Sequence, residues 1–164
     1  MHSNLFTVSF AGVAITAPQD LFALLAAATS RLAICRVEVM QYSDVGDAAS
    51  EILAYTFKRG ATVAGSGGTA PTPVNIKGHT GARAATTTAR VNDTTQAGTG
   101  TIVTVQAGAF NIQAGLLYAP RYDEFIDERI TVEAGSRFVV SLDSAPADAL
   151  TVSGTILFEE LGLI

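Results

Sequence analysis

Apolar and polar residues alternate most cleanly between Arg137 and Leu161. Phe138, Val140 and Leu142 fall on one side of the alternation, and Arg137, Ser141 and Asp143 on the other. The pattern breaks at Ser144-Ala145-Pro146-Ala147-Asp148 and then resumes. Leu150, Val152, Ile156 and Phe158 now oppose Thr151, Ser153, Thr155 and Glu159. A two-residue period is that of pleated strand with one dry and one wet face. The turn-rich interruption between two such runs predicts a hairpin-type connection.

The same period recurs upstream. Phe6, Val8 and Phe10 alternate with Thr7 and Ser9, and Gly12 permits a bend or bulge before Val13-Ala14-Ile15, so residues 5–16 read as one or two strands. Residues 20–28 fit either a short helix capped by Asp20 or a strand, and the brevity of the run favours the strand. Leu32 to Tyr42 and Ile52 to Arg59 are stronger strands, separated by a loop at Ser43-Asp44-Val45-Gly46-Asp47. Thr101–Val105 and Ala109–Tyr118 alternate more weakly, and Ile130 and Val132 lead into the Ala134-Gly135-Ser136 turn.

From Gly60 to Gly100 the chain changes character. Gly65-Ser66-Gly67-Gly68 and Pro71-Thr72-Pro73 do not suit a central strand, although Thr86–Val91 has the makings of a short one. A loop this long inside a compact domain is usually functional or poorly ordered, and here it reads as an extended excursion that lies on something. Residues 58–93 hold Lys58, Arg59, Lys77, Arg83 and Arg90 against Asp93, a net of +4, which leaves −9 for the rest of a chain of formal charge −5. That asymmetry predicts docking onto an acidic neighbour, with another copy of the chain a candidate. Lys77, Arg83 and Arg90 are the candidate contact residues.

Eight to ten short strands separated by turns predict an all-β fold, an antiparallel β-sandwich of jelly-roll type with a long Gly/Thr/Pro-rich excursion at about 60–100. With 164 residues, the chain is expected to form one domain, 1–164. Hydrophobic residues make up 48% and charged ones 15%, a low-charge surface that suits a subunit packed against neighbours. Net negative charge argues against nucleic acid as the main partner. No apolar run reaches the ~20 residues of a membrane helix, and Met1-His2-Ser3-Asn4 lacks the basic start of an export signal.

Chemistry is sparse. Cys35 stands alone inside an apolar strand pattern and reads as a buried, inert thiol. His2 and His79 are the two histidines, and neither has the paired spacing of a zinc site. No Gly-x-Ser-x-Gly context accompanies a serine. Gly65-Ser66-Gly67-Gly68 lacks the Gly-Lys-Ser/Thr ending of a phosphate loop and reads as a flexible turn. Asp44 with Asp47, and Asp123, Glu124, Asp127 and Glu128, are acidic groupings without the ligand spacing of a calcium-binding hand. They read as solvated edges that deter stray strand pairing. No catalytic residue, cofactor or metal is expected.

Several phrases occur in a telling order. They are Ser43-Asp44-Val45-Gly46-Asp47-Ala48, Arg59-Gly60-Ala61-Thr62, Gly65–Gly68 with Ala70-Pro71-Thr72-Pro73, and Asn92-Asp93-Thr94. Phe110-Asn111-Ile112-Gln113-Ala114-Gly115 and Ala145–Leu150 running to Phe158-Glu159-Glu160 complete the series. Over most of its length the chain thereby resembles the virion proteins of tailed bacteriophages and prophages of the capsid decoration, or cement, type. The resemblance implies a non-enzymatic protein on the virion surface, made in the bacterial host cytoplasm. It implies a homo-oligomer, often a trimer, bound to the major capsid protein of a tailed phage and stabilising the assembled head. Two other readings stay open. One is a tail or baseplate component of the same fold; the other is a carbohydrate-binding jelly roll in which Tyr42, Tyr118 and Tyr122 stack on sugars.

Overall fold

The computed structural model describes residues 4–41, 51–78, 82–111, 116–118 and 129–162. Every regular element among them is a strand. The order is β1 (Leu5–Ile15), β2 (Gln19–Leu25), β3 (Ser30–Gln41), β4 (Ile52–Arg59), β5 (Val74–Asn75), β6 (Thr88–Asp93), β7 (Val103–Asn111), β8 (Leu116–Tyr118), β9 (Ile130–Val132), β10 (Arg137–Leu142) and β11 (Leu150–Gly162). That is eleven, against the eight to ten expected, because the 60–100 region supplies β5 as well as β6. Residues 20–28 contribute a strand, as favoured, while Val103–Asn111 forms one strand where two separate weak ones were expected.

The strands form two antiparallel sheets packed face to face. The six-stranded sheet runs β5-β1-β11-β3-β8 with β9 also pairing β3, and the five-stranded sheet runs β6-β2-β10-β4-β7. β10 and β11 therefore lie in different sheets. Asp143–Ala149 is a crossing between layers rather than the expected hairpin. Asp143 fixes the departure, its amide donating to the Ala54 carbonyl at 2.8 Å and its carboxylate accepting from Thr56 Oγ1 at 2.7 Å and Lys58 Nζ at 2.9 Å. A two-residue period is identical in both sheets, so it cannot say which one a strand joins.

The dry faces meet as the alternation requires. Phe6 stacks on its cross-strand partner Phe158 with ring centroids 5.9 Å apart. Phe10 reaches Phe22 in the opposite sheet at 5.1 Å, and Phe57 meets Phe138 nearly edge-on at 5.7 Å. Phe6, Phe22, Phe57, Phe138 and Phe158 are fully buried, each contributing on the order of 1.5–3 kcal/mol of transfer free energy. β1 bulges between Phe10 and Val13, at the Gly12 position expected to permit it. Cys35 is buried, and its thiol lies 3.6 Å from the Ala33 carbonyl.

The second face of β10 departs from expectation. Arg137 and Ser141, assigned to the polar side by the alternation, are buried, as is Val139 between them. The cover comes from the 60–100 segment, which folds back over the chain's own five-stranded sheet. Ala61 and Ala97 pack with Ala23 and Val139 in a small second apolar cluster. Isolated bridges Val63–Gly98, Ser66–Thr95 and Thr69–Val91 knit the segment to itself and to β6.

Candidate functional site

The largest concentration of buried polar groups lies under this cover. Asp20 on β2 and Asp93 on β6 are cross-strand partners, with Ser141 opposite Asp20 on β10 and the buried Arg137 four residues earlier on the same strand. Two backbone irregularities turn both carboxylates to this outer face. In β2, Leu21 is an extra residue opposite the Val140/Ser141 step, so Leu21 and Phe22 both enter the core and Asp20 emerges next to Ser141. In β6, Asn92 adopts a left-handed conformation at φ 57. Residues three apart on a regular strand point to opposite faces, yet with Asn92 between them Arg90 and Asp93 form a two-pronged ion pair. Nε donates to Oδ2 at 2.8 Å and a terminal nitrogen to Oδ1 at 2.6 Å.

Both carboxylates hold the covering segment by its amides. Asp20 Oδ2 accepts from the Ala97 amide at 2.6 Å, while Oδ1 accepts from Ser141 Oγ at 2.7 Å. Asp93 Oδ1 also accepts from the Gly68 amide at 3.0 Å. From the third strand, Arg137 donates to the Ala61 carbonyl at 3.2 Å. Burial pushes the Asp20 carboxyl above its usual range, against the pull of the Ala97 amide, the Ser141 hydroxyl and the Lys58 charge. Burial likewise lowers Arg137, with Asp93 opposing, whereas the bond to Asp93 raises Arg90.

This packing explains Gly65-Ser66-Gly67-Gly68 better than a flexible turn does. A Cβ on Gly65 would sit 2.8 Å from Asp93 Cβ, and one on Gly68 would fall on the Val91 carbonyl oxygen. The glycines are there because the segment lies directly on β6.

A third carboxylate does the same work between those two points of the segment. Glu160 is in phase with Phe158 on the dry face of β11 and is buried. Its Oε1 accepts from the amides of Thr86 at 2.8 Å and Thr87 at 2.7 Å, and from Thr87 Oγ1 at 2.7 Å. Arg83 approaches Oε2 at 3.5 Å.

The three candidate contact bases thus have different settings. Arg90 is committed to Asp93, and Arg83 pairs with Glu160 while remaining partly exposed. Lys77 is exposed, just beyond β5, and forms no ion pair among the described residues. Lys58 and Arg59 are also engaged, by Asp143 and by the Thr131 carbonyl. Half of the positive excess of 58–93 is therefore met by carboxylates elsewhere in the chain, Lys58 by Asp143 and Arg83 by Glu160. Sequence reasoning missed Asp20, Asp93 and Glu160, and the one available signal was Glu160 falling in step with Phe158.

No group of three or more His, Cys, Asp or Glu close enough to hold a metal occurs among the described residues. His2, His79, Asp44, Asp47, Asp123, Glu124, Asp127, Glu128, Tyr42 and Tyr122 lie outside the described residues, as does the side chain of Tyr118. An open depression of about 510 Å³ on the outer face of the six-stranded sheet is bordered by Ser9, Glu38, Met40, Ser153 and Thr155. It is a shallow hollow on a flat face.

No protein family profile matches this chain. No curated protein matches it either. Among solved structures the chain is faintly similar to that of infectious bursal disease virus, Gx strain, at 19% identity and a TM-score of 0.15. The alignment covers 98% of this chain and 38% of that one, so this chain spans well under half its length. A score that low carries no argument about fold or role.

Proposed function

We propose that this chain is a non-enzymatic structural subunit of a tailed-phage particle, of the decoration type, which binds the outer surface of the head and stabilises the assembled shell. The sequence resemblance supplies the family. The observation that carries the reading is the surface character of β7 and the residues beside it. No Asp, Glu, Lys or Arg occurs from residue 94 to 120, and this stretch includes the largely exposed strand β7. Ile102 and Val103 are exposed within it, and Ile52 beside it is 70% exposed. An uncharged, largely exposed strand with unburied aliphatic side chains beside it suits burial against other subunits. Binding to a lattice but not to its free subunits would stabilise the shell by mass action.

Of the three candidate bases, Lys77 is the clean probe of shell contact, since Arg83 and Arg90 are held by carboxylates of their own chain. The direct experiment is a mass-spectrometric inventory of purified particles, followed by antibody labelling in the electron microscope. Near-stoichiometric copies with the shell protein and label over the head are expected. Label confined to the tail would move the assignment to a tail component, and absence from purified particles would overturn the reading.

A further inference from the structure

We propose that copies of this chain join head to tail, the acidic segment 119–128 of one copy docking by its side chains on the basic, aliphatic margin around β5 of the next. β5 lies at one end of the strand order of the six-stranded sheet. Val74 within it and Ile76 just past it are 62% and 46% exposed. Asn75 gathers two bases to the same place: its Oδ1 accepts from the Lys77 amide at 3.0 Å, and its Nδ2 donates to the Arg83 carbonyl at 3.4 Å. The Lys77 side chain is exposed, and that of Arg83 is partly so even with Glu160 3.5 Å away. No Asp or Glu occurs from residue 52 to 92. Of the acids at the near end of β11, Glu160 is buried and Glu159 is bonded to Arg129 at 2.8 Å. The margin presents an aliphatic pair flanked by bases.

The complementary sequence leaves from the opposite margin of the same sheet. β8 and β9 both pair β3 on the side away from β11, with Tyr118 opposite Val39 and Ile130 opposite Ile34. The chain that links them carries Asp123-Glu124-Phe125-Ile126-Asp127-Glu128, an apolar pair between two pairs of acids. Residues 119–128 hold one base, Arg121, and those four acids, a net of −3. Acid, apolar, acid on one margin answers base, apolar, base on the other.

Position selects a second copy as the occupant. β3, β11 and β1 stand between the two margins. With strands about 4.8 Å apart, the anchors of the acidic segment lie roughly 19 Å across the sheet from its own β5. Copies set side by side in the same sense bring the two margins together directly. A two-fold arrangement of either margin would set base on base or acid on acid, and like charges there repel. The contact is therefore heterologous and repeats from copy to copy, closing as a ring where the rotation permits.

Sedimentation velocity of the full-length chain, at tens of micromolar and low salt, is expected to give a mass above 17.0 kDa. The mass should fall in about 1 M salt, where charges are screened beyond ~3 Å. Two variants each remove one half of the joint: Val74→Gln with Lys77→Gln at the basic margin, and Glu124→Gln with Asp127→Asn and Glu128→Gln in the acidic segment. Each alone is expected at 17.0 kDa, with cooperative unfolding by circular dichroism retained. Mixed, they hold one intact joint between them and are expected at twice that mass. Carbodiimide coupling, which condenses a lysine with a touching carboxylate, supplies a readout on the unmodified chain. In an equal mixture of chains grown on light and heavy nitrogen, links from Lys77 to the 123–128 acids are expected to join one isotope to the other. A 17.0 kDa parent, a mass indifferent to salt, an assembly that either folded variant retains, folded variants that stay apart on mixing, or Lys77 links confined to one isotope would each overturn the joint. All of this is measured with no shell present, so joint and role separate. An assembly absent from every particle would sink the virion reading alone, and a monomer that decorates heads would sink the joint alone.

Discussion

Asp20 and Asp93 face each other across the β2–β6 ladder, one directly opposite the other, and both are almost wholly buried. Like charges in that relation destabilise a sheet. Each is offset differently: Asp20 by a hydroxyl and a backbone amide, Asp93 by the Arg90 fork and the Gly68 amide. The pair works as a clamp. Two acids on the sheet hold two points of the long covering segment, which explains how a glycine- and threonine-rich excursion stays down with little apolar contact.

Arg90 should matter more for stability than for binding. Asp93 is buried while Arg90 is partly exposed, so Arg90→Ala falls below the ~3–5 kcal/mol of a fully buried pair, and with the Gly68 amide still on Asp93 it is expected at about 2 kcal/mol. Arg90→Lys keeps the charge and loses the fork, for a cost of about 1 kcal/mol. Urea denaturation of the two variants beside the parent measures both. Midpoints indistinguishable from the parent would mean that the clamp holds nothing.

Asp20 predicts an unusual pH response. Its folded-state pKa is raised from 3.8, with burial the largest cause. A raised carboxylate binds its proton more tightly folded than unfolded. The group therefore costs no stability below 3.8, and its cost grows as pH rises from there through the raised value. Asn at position 20 satisfies the same two partners, its oxygen toward the Ala97 amide and its nitrogen toward Ser141 Oγ. Asp20→Asn is expected to lie within about 1 kcal/mol of the parent, gaining on it as pH climbs from 3.5 to 7. Parallel stability curves across that range would refute the assignment.

Much of the fold was legible. Ile52–Arg59 has the bounds that alternation gives it, and the dry faces of β1 and β11 hold the residues the period assigns. What was not legible depended on single irregular residues. The bulge at Leu21 and the left-handed Asn92 decide where Asp20 and Asp93 point, and neither leaves a mark in hydrophobic periodicity. Val139, on the nominally wet side of β10, was a faint sign that something covers that face. The bases of 58–93 suggested an external acidic partner because sequence spacing does not bring Arg83 near Glu160 or Lys58 near Asp143.

Thr87 tests the hold of Glu160 on the segment. Its hydroxyl donates to Glu160 Oε1 in a buried setting, where bonds to a charged group contribute about 1.5–3 kcal/mol. Thr87→Val keeps the shape and removes the donor, so a loss of about 2 kcal/mol is expected by chemical denaturation. The two amides that remain on Oε1 should keep the 82–87 segment in place. A loss under ~0.5 kcal/mol would show that the hydroxyl bond is immaterial.

Gly68→Ala tests whether the 60–100 segment lies on β6 as closely as the packing implies. The added methyl has backbone in its way, the Val91 carbonyl and the Asn92 peptide, and neither yields as a side chain would. Overpacking of this kind typically costs about 1–3 kcal/mol, and here the strain has a local exit: the segment lifts, releasing the Gly68 amide from Asp93 and the Thr69 bonds from Val91. Faster limited proteolysis between residues 60 and 78, with the core strands still protected in hydrogen exchange, is the expected signature. A variant cut at the parent rate, at unchanged stability, would mean that the segment does not rest on β6.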